Sequence, residues 1–171
     1  MRTVAAERRI LVAVVTRATG EWIQAWRERH DPEQARRLPP HTTLGYRVPK
    51  LEPEALANQV RHAFAGGVTV QLGGVRAFDN AERTIYIAMH RTAALDTARR
   101  RLYGGRFVRL PGYGEWTWHV SCVRRSHGRD VASLLQQAHA LESLGAWTVD
   151  RVDSMELHGR RYESLTTYWL S

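Results

Sequence analysis

Cysteine is almost missing from this chain: Cys122 stands alone among 171 residues. A single thiol excludes an internal disulfide and a cysteine-built metal site, and it fits a reducing, cytoplasmic setting. Lysine is as rare, with Lys50 the only one, so the positive charge rests on arginine. Long apolar runs are missing too. Near the N-terminus, Ile10-Leu11-Val12-Ala13-Val14-Val15 is cut off by Thr16-Arg17. That is shorter than the ~7–15 apolar residues of a signal-peptide core and far from the ~20 of a membrane span. The run reads as a buried first strand, and no membrane partner is expected. No His-Glu-x-x-His pair or aspartate cluster occurs. His30, His62, His90, His127, His139 and His158 show no ligand spacing, so no metal and no other cofactor is expected.

What the chain does have is the balance of a soluble globular protein, 43% hydrophobic and 25% charged. That supports a core without covalent staples and a single two-lobed domain over residues 1–171, expected to work as a monomer. The formal charge of +8 favours an anionic partner such as RNA or a phosphorylated small molecule. A general richness in arginine accounts for the same surplus, and charge alone does not choose between them.

Taken in order, residues 9–16 read as a central strand and residues 20–30 as a helix, with Trp22, Ile23 and Trp26 on one face. Asp31-Pro32 ends that helix, and Leu38-Pro39-Pro40 makes a stiff lead into a strand over residues 41–48. A helix over residues 52–65 carries Leu56, Val60, Ala63 and Phe64 at helical spacing and stops at Gly66-Gly67. Residues 68–78 and 83–90 alternate as strands and form a hairpin through a turn at 79–82. Thr92 caps a helix to Leu102, with Leu95, Ala98 and Leu102 inward. Arg99-Arg100-Arg101 lies near its C-terminal end, where cations suit the helix dipole. Residues 106–115 are irregular and lead into a strand over 116–124. A helix over 129–144 is stopped by Gly145. Residues 146–157 and 161–170 close the chain as two antiparallel strands.

Two short stretches repeat a pattern: His41-Thr42-Thr43-Leu44 and His119-Val120-Ser121-Cys122. Residues i and i+2 of a strand share a face. His41 therefore projects with Thr43, and His119 with Ser121. Each motif strand precedes a helix and then a pair of strands, a duplication of structure rather than of sequence. The expectation is that the two motif strands lie side by side and that the four side chains line one cleft.

The paired His-x-Thr/Ser motifs, in this order of elements, resemble the 2H phosphoesterase superfamily, which includes the 2′–5′ RNA ligase-like proteins and cyclic phosphodiesterases. Asp31-Pro32, Pro39-Pro40, Phe78 after a glycine-rich strand and the strand from Trp147 agree with it. The resemblance spans nearly the whole chain. It implies an α+β, bilobal fold with a pseudo-two-fold axis: two antiparallel-rich sheets flank a central cleft, with helices outside. It also implies metal-independent chemistry on a phosphodiester, often a 2′,3′-cyclic nucleotide or RNA end, leaving a 2′-phosphate, with His41, Thr43, His119 and Ser121 as the functional residues. Cys122 departs from the leucine common at its position and is expected to be packing rather than a nucleophile.

The residue types suit that chemistry. Histidine titrates near pH ~6.5, so one ring can accept a proton from water while a charged partner donates one to the leaving ribose oxygen. The Thr43 and Ser121 hydroxyls can donate to non-bridging phosphate oxygens. Run in reverse, the arrangement joins a cyclic end to a 5′-hydroxyl. Tyr46, Arg47 and Arg124 come soon after the motifs. For the arginines, phosphate gripping and solvated rim charge are equally open. Trp116 and Trp118 share the parity of Val120, opposite to His119, which leaves Tyr113 as the best candidate to stack on a base. The expected activity is hydrolysis of 2′,3′-cyclic phosphates of nucleotides or RNA ends, with reversible 2′–5′ ligation possible. The alternatives are a phosphodiesterase for a small nucleotide metabolite, or a non-catalytic RNA-binding domain.

Overall fold

The apolar run near the N-terminus forms β1 (Arg9–Val14), an inner strand buried on both faces. Leu11 and Ala13 point into the main core, while Ile10, Val12 and Val14 join Leu38 and Met155 in a second cluster. This is why the run shows no polar alternation: both parities meet apolar neighbours. A computed structural model describes residues 9–46, 48, 53–104, 117–126 and 128–170. After β1 come α1 (Arg17–His30), α2 (Pro32–Arg37), β2 (His41–Tyr46), α3 (Pro53–Ala63), β3 (Thr69–Ala77), β4 (Ile85–Met89) and α4 (Ala93–Gly104). β5 (His119–Val123), α5 (Val131–Ala138), a 3-10 turn (His139–Ser143), β6 (Ala146–Thr148), β7 (Arg151–His158) and β8 (Arg161–Trp169) complete the order.

The strands form two four-stranded sheets, ordered β2-β1-β7-β8 and β5-β4-β3-β6. Every pairing in both is antiparallel. Exchanging β2 with β5, β1 with β4, β7 with β3 and β8 with β6 turns one order into the other. The fold is therefore α+β, with the duplicated two-sheet architecture that the resemblance implied. Each motif strand is the edge of its own sheet. β2 and β5 lie against one another where the sheets meet, without a hydrogen-bonded ladder between them. The main core draws on both sheets and on α1, α3, α4 and α5.

Several elements differ from the sequence expectation. Trp22 is 62% exposed, whereas Arg27 occupies the buried stripe with Ile23 and Trp26. The stripe runs 23-26-27, and residue 22 lies a full 100° from residue 23 around the helix. Residues 32–37 form a helix of their own, capped by the Asp31 carboxylate accepting from Gln34 N–H at 3.2 Å, with Pro32 in its first turn. The helix expected over 129–144 tightens at His139 into the 3-10 turn, and Leu134, Ala138 and Leu141 still reach the core. The strand expected over 146–157 is two strands in different sheets: β6 pairs with β3 and β7 with β1. The chain crosses between sheets at Val149-Asp150, and alternation alone carries no mark of a strand that changes partners.

Candidate active site

The two motif strands share a defect. In the β1–β2 ladder Leu11 faces Gly45 and Val12 faces Thr43, so Leu44 is an extra residue. In the β4–β5 ladder Ile85 faces Val123 and Tyr86 faces Ser121, so Cys122 is the extra one. Both are bulges at the fourth position of the motif. A bulge makes two residues count as one and re-aims the side chains beyond it. Strict alternation would set Gly45 beside His41 and Thr43, and Val123 beside His119 and Ser121. Instead Val123 joins Leu44 and Cys122 in the core, and Tyr46 and Arg124 turn onto the faces that carry the histidines.

A cavity of about 280 Å³ results, lined by His41, Thr43 and Tyr46 from β2 and by His119, Ser121 and Arg124 from β5 and its end. Six of the eight candidate residues thus meet in one place. Arg47 and Tyr113, like Trp116, lie outside the described residues. Trp118 is buried in the core, as its parity implies.

The two imidazoles are held alike. His41 Nδ1 lies 2.7 Å from the carbonyl oxygen of Pro39, and His119 Nδ1 lies 2.8 Å from that of Thr117. A carbonyl only accepts, so each Nδ1 carries its hydrogen, and Nε2 is left as the nitrogen that gains or loses a proton. The surroundings then diverge. Burial pushes His41 down to about 4; the Pro39 carbonyl opposes this, and the charges of Arg27, His119 and Arg124 add to the fall. His119 is lowered by burial, opposed by the Thr117 carbonyl. It meets Phe78 and Tyr86 edge-on at 5.0 and 5.5 Å between ring centroids, and those two rings stack on each other at 4.1 Å.

Around the pair stand polar groups that no motif in the sequence singles out. Glu82, from the turn between β3 and β4, bonds Arg124 at 3.0 Å and lies 3.5 Å from Arg125. Arg124 is the chief cause holding the Glu82 carboxyl below its usual range. Arg124 therefore lines the cavity already tied to a carboxylate. Asp31 accepts from Arg124 N–H at 2.9 Å as well as capping α2, fastening the α1–α2 corner to the end of β5. Arg27, Gln34, Asn80, Thr84 and Tyr162 complete the polar lining. Asp31-Pro32 carries a readable cap signature; the others lacked any local mark. Cys122 is buried, and burial pushes its thiol up to about 12, which suits packing and not nucleophilic attack. Among the described residues no group of three or more His, Cys, Asp or Glu side chains comes together as a metal site would require. No helix among them is long and apolar enough to cross a membrane.

Comparison with known proteins is decisive at the level of the family. Residues 15–161 match the family model described as the 2′-5′ RNA ligase superfamily. The chain belongs to this superfamily. Its place among the 2H phosphoesterases is thereby set, and with it a phosphoesterase- or ligase-like enzyme. Solved structures share the fold from end to end. The TT0787 protein of Thermus thermophilus aligns with a TM-score of 0.59 at 17% identity, covering 95% of this chain and 97% of that one. LigT of E. coli, crystallised with 3′-AMP, aligns with a TM-score of 0.58 at 16% identity, covering 96% and 98%. No curated protein sequence matches the chain significantly.

Proposed function

We propose that the chain is a metal-independent phosphodiesterase that opens 2′,3′-cyclic phosphates of nucleotides or RNA ends. The observation that carries this reading is the pair of histidines lining one cavity, each with Nδ1 committed to a backbone carbonyl and Nε2 left for proton transfer. Water attacks phosphorus and loses a proton to the neutral Nε2 of one ring. The P–O3′ bond breaks, and the protonated Nε2 of the other ring delivers a proton to O3′, leaving a 2′-phosphate. Thr43 and Ser121 hydroxyls donate to the non-bridging oxygens as charge builds there. A 5′-hydroxyl in place of water gives a 2′–5′ linkage by the same transfers. Tyr46 at the rim, 42% exposed, is placed to stack on a base, and Arg124 to pair with phosphate once Glu82 releases it. The E. coli protein of the same fold has been crystallised with 3′-AMP and with phosphate, ligands of the expected class. A small cavity also suits a free nucleotide, and this divides RNA-end processing from metabolite hydrolysis. The test compares 2′,3′-cyclic AMP with an oligoribonucleotide ending in a 2′,3′-cyclic phosphate, both in chelator. Turnover of either supports the reading, with the larger kcat/KM naming the substrate class. Turnover of neither overturns it.

A further inference from the structure

The lining of the cavity includes a buried cation to which, among the described residues, no carboxylate is bonded. Arg27 lines the cavity from α1 yet is 2% exposed. One terminal nitrogen donates to Gln24 Oε1 at 3.3 Å and the other to the Gln34 carbonyl at 3.0 Å, both neutral acceptors. Its Nε is buried without a partner, as is Gln34 Oε1 beside it. Among the described residues no carboxylate forms an ion pair with it. Asp31 is near enough to be felt, but its two oxygens are taken by Gln34 N–H and Arg124 N–H.

A guanidinium does not shed its proton, so this buried cation is a standing cost until an anion arrives. It sits on α1, which packs against β5, and its charge adds to the burial that lowers His41. The groups that face His41 are Arg27 on α1, His119 on β5 and Arg124 at its end. Asp31 and Glu82 are engaged with Arg124, and Tyr162 lines the cavity from β8.

We propose that Arg27 is an anion-selecting residue of the cleft: its buried charge, bonded only by neutral acceptors, draws an anionic ligand into the cavity that both histidines line. In the empty site burial keeps His41 unprotonated, and this cation adds to it. A bound phosphate offsets the cation's share and raises the basicity of His41 by that much. This inference deepens the phosphodiesterase reading, but its test does not depend on turnover.

The test is NMR titration of the histidine rings in the whole protein, with inorganic phosphate as the probe ligand. In the wild type His41 should titrate below His119. In Arg27→Met and Arg27→Gln the His41 midpoint should rise while that of His119 moves less, and the phosphate Kd should weaken roughly tenfold. Arg27→Lys should restore much of both. Folded variants with wild-type phosphate affinity and an unmoved His41 would overturn the proposal. Should the neutral variants fail to fold, the wild type decides by itself: phosphate that does not bind, or that binds and leaves the His41 midpoint unmoved, contradicts the inference. An inactive wild type that still shows these shifts would sink the phosphodiesterase reading and leave the role of Arg27 in anion selection standing.

Discussion

The β2 side and the β5 side of the cleft use the same backbone device in unlike surroundings. Each has an edge strand, a histidine locked through Nδ1 to a carbonyl two residues back, a hydroxyl two residues on, and a bulge at the next position. On the β2 side burial lowers the ring to about 4, and the charges of Arg27, His119 and Arg124 add to the fall. On the β5 side it lies against the edges of a stacked Phe78–Tyr86 pair. The backbone duplicates the geometry, and the second layer of side chains makes the two rings electrically different. A symmetric scaffold can therefore set two identical groups in unlike surroundings, which acid–base catalysis can exploit.

The sharpest way to break the comparison is to remove one ring at a time. His41→Ala and His119→Ala should each lower kcat on 2′,3′-cyclic AMP by roughly 10²–10⁴-fold, with circular dichroism unchanged. Wild-type turnover in either would show that one half of the pair is ornamental. The hydroxyls come next. Thr43→Ala and Ser121→Ala should each cost roughly 10²-fold in kcat, the lower end of what a lost oxyanion donor costs. Similar losses would mean that the two donors serve equivalent oxygens, and a large inequality would show that the substrate leans toward one lobe.

A third measurement exploits the burial of the rings. An unfolded histidine titrates near ~6.5, and His41 in the fold is pushed down to about 4. Between those values the unfolded chain binds the extra proton, so unfolding free energy rises with pH from about 4 to about 6.5 and levels off above. The displacement corresponds to a rise on the order of 3 kcal/mol. Urea unfolding across that range should show the slope, and His41→Ala should flatten it. The smallest effect is expected at the bulge. Cys122→Ala should leave turnover within about twofold and lower stability by about 1 kcal/mol, since the thiol fills space and little else. A large loss of turnover would give Cys122 a role in the chemistry.

Much of this was legible in the chain. Val68, Val70, Leu72 and Ile85, Ile87, Met89 announce their strands by alternation, and both triplets are buried as that pattern requires. Thr92 caps α4 as its type suggests, accepting from Leu95 N–H at 3.2 Å. The paired motifs located His41, Thr43, His119 and Ser121 because strand parity is a local property. The bulges were not legible, since they exist only relative to the partner strand; period two alone sends Gly45 and Val123 into the cleft and turns Tyr46 and Arg124 away. Arg27 was hidden for a related reason. An arginine in a helix reads as a solvated charge, and only the packing of α1 against β5 buries it. Glu82 and Gln34 reach the site through tertiary contact with no motif to mark them.

The central claim is that the two imidazoles act as one acid–base pair on a cyclic phosphate. It is tested most directly by incubating 2′,3′-cyclic AMP with the wild type and with the His41→Ala/His119→Ala double variant in excess chelator and resolving the products. The expected result is 2′-AMP from the wild type and none above background from the double variant. Product from the double variant, or 3′-AMP in place of 2′-AMP from the wild type, would contradict it.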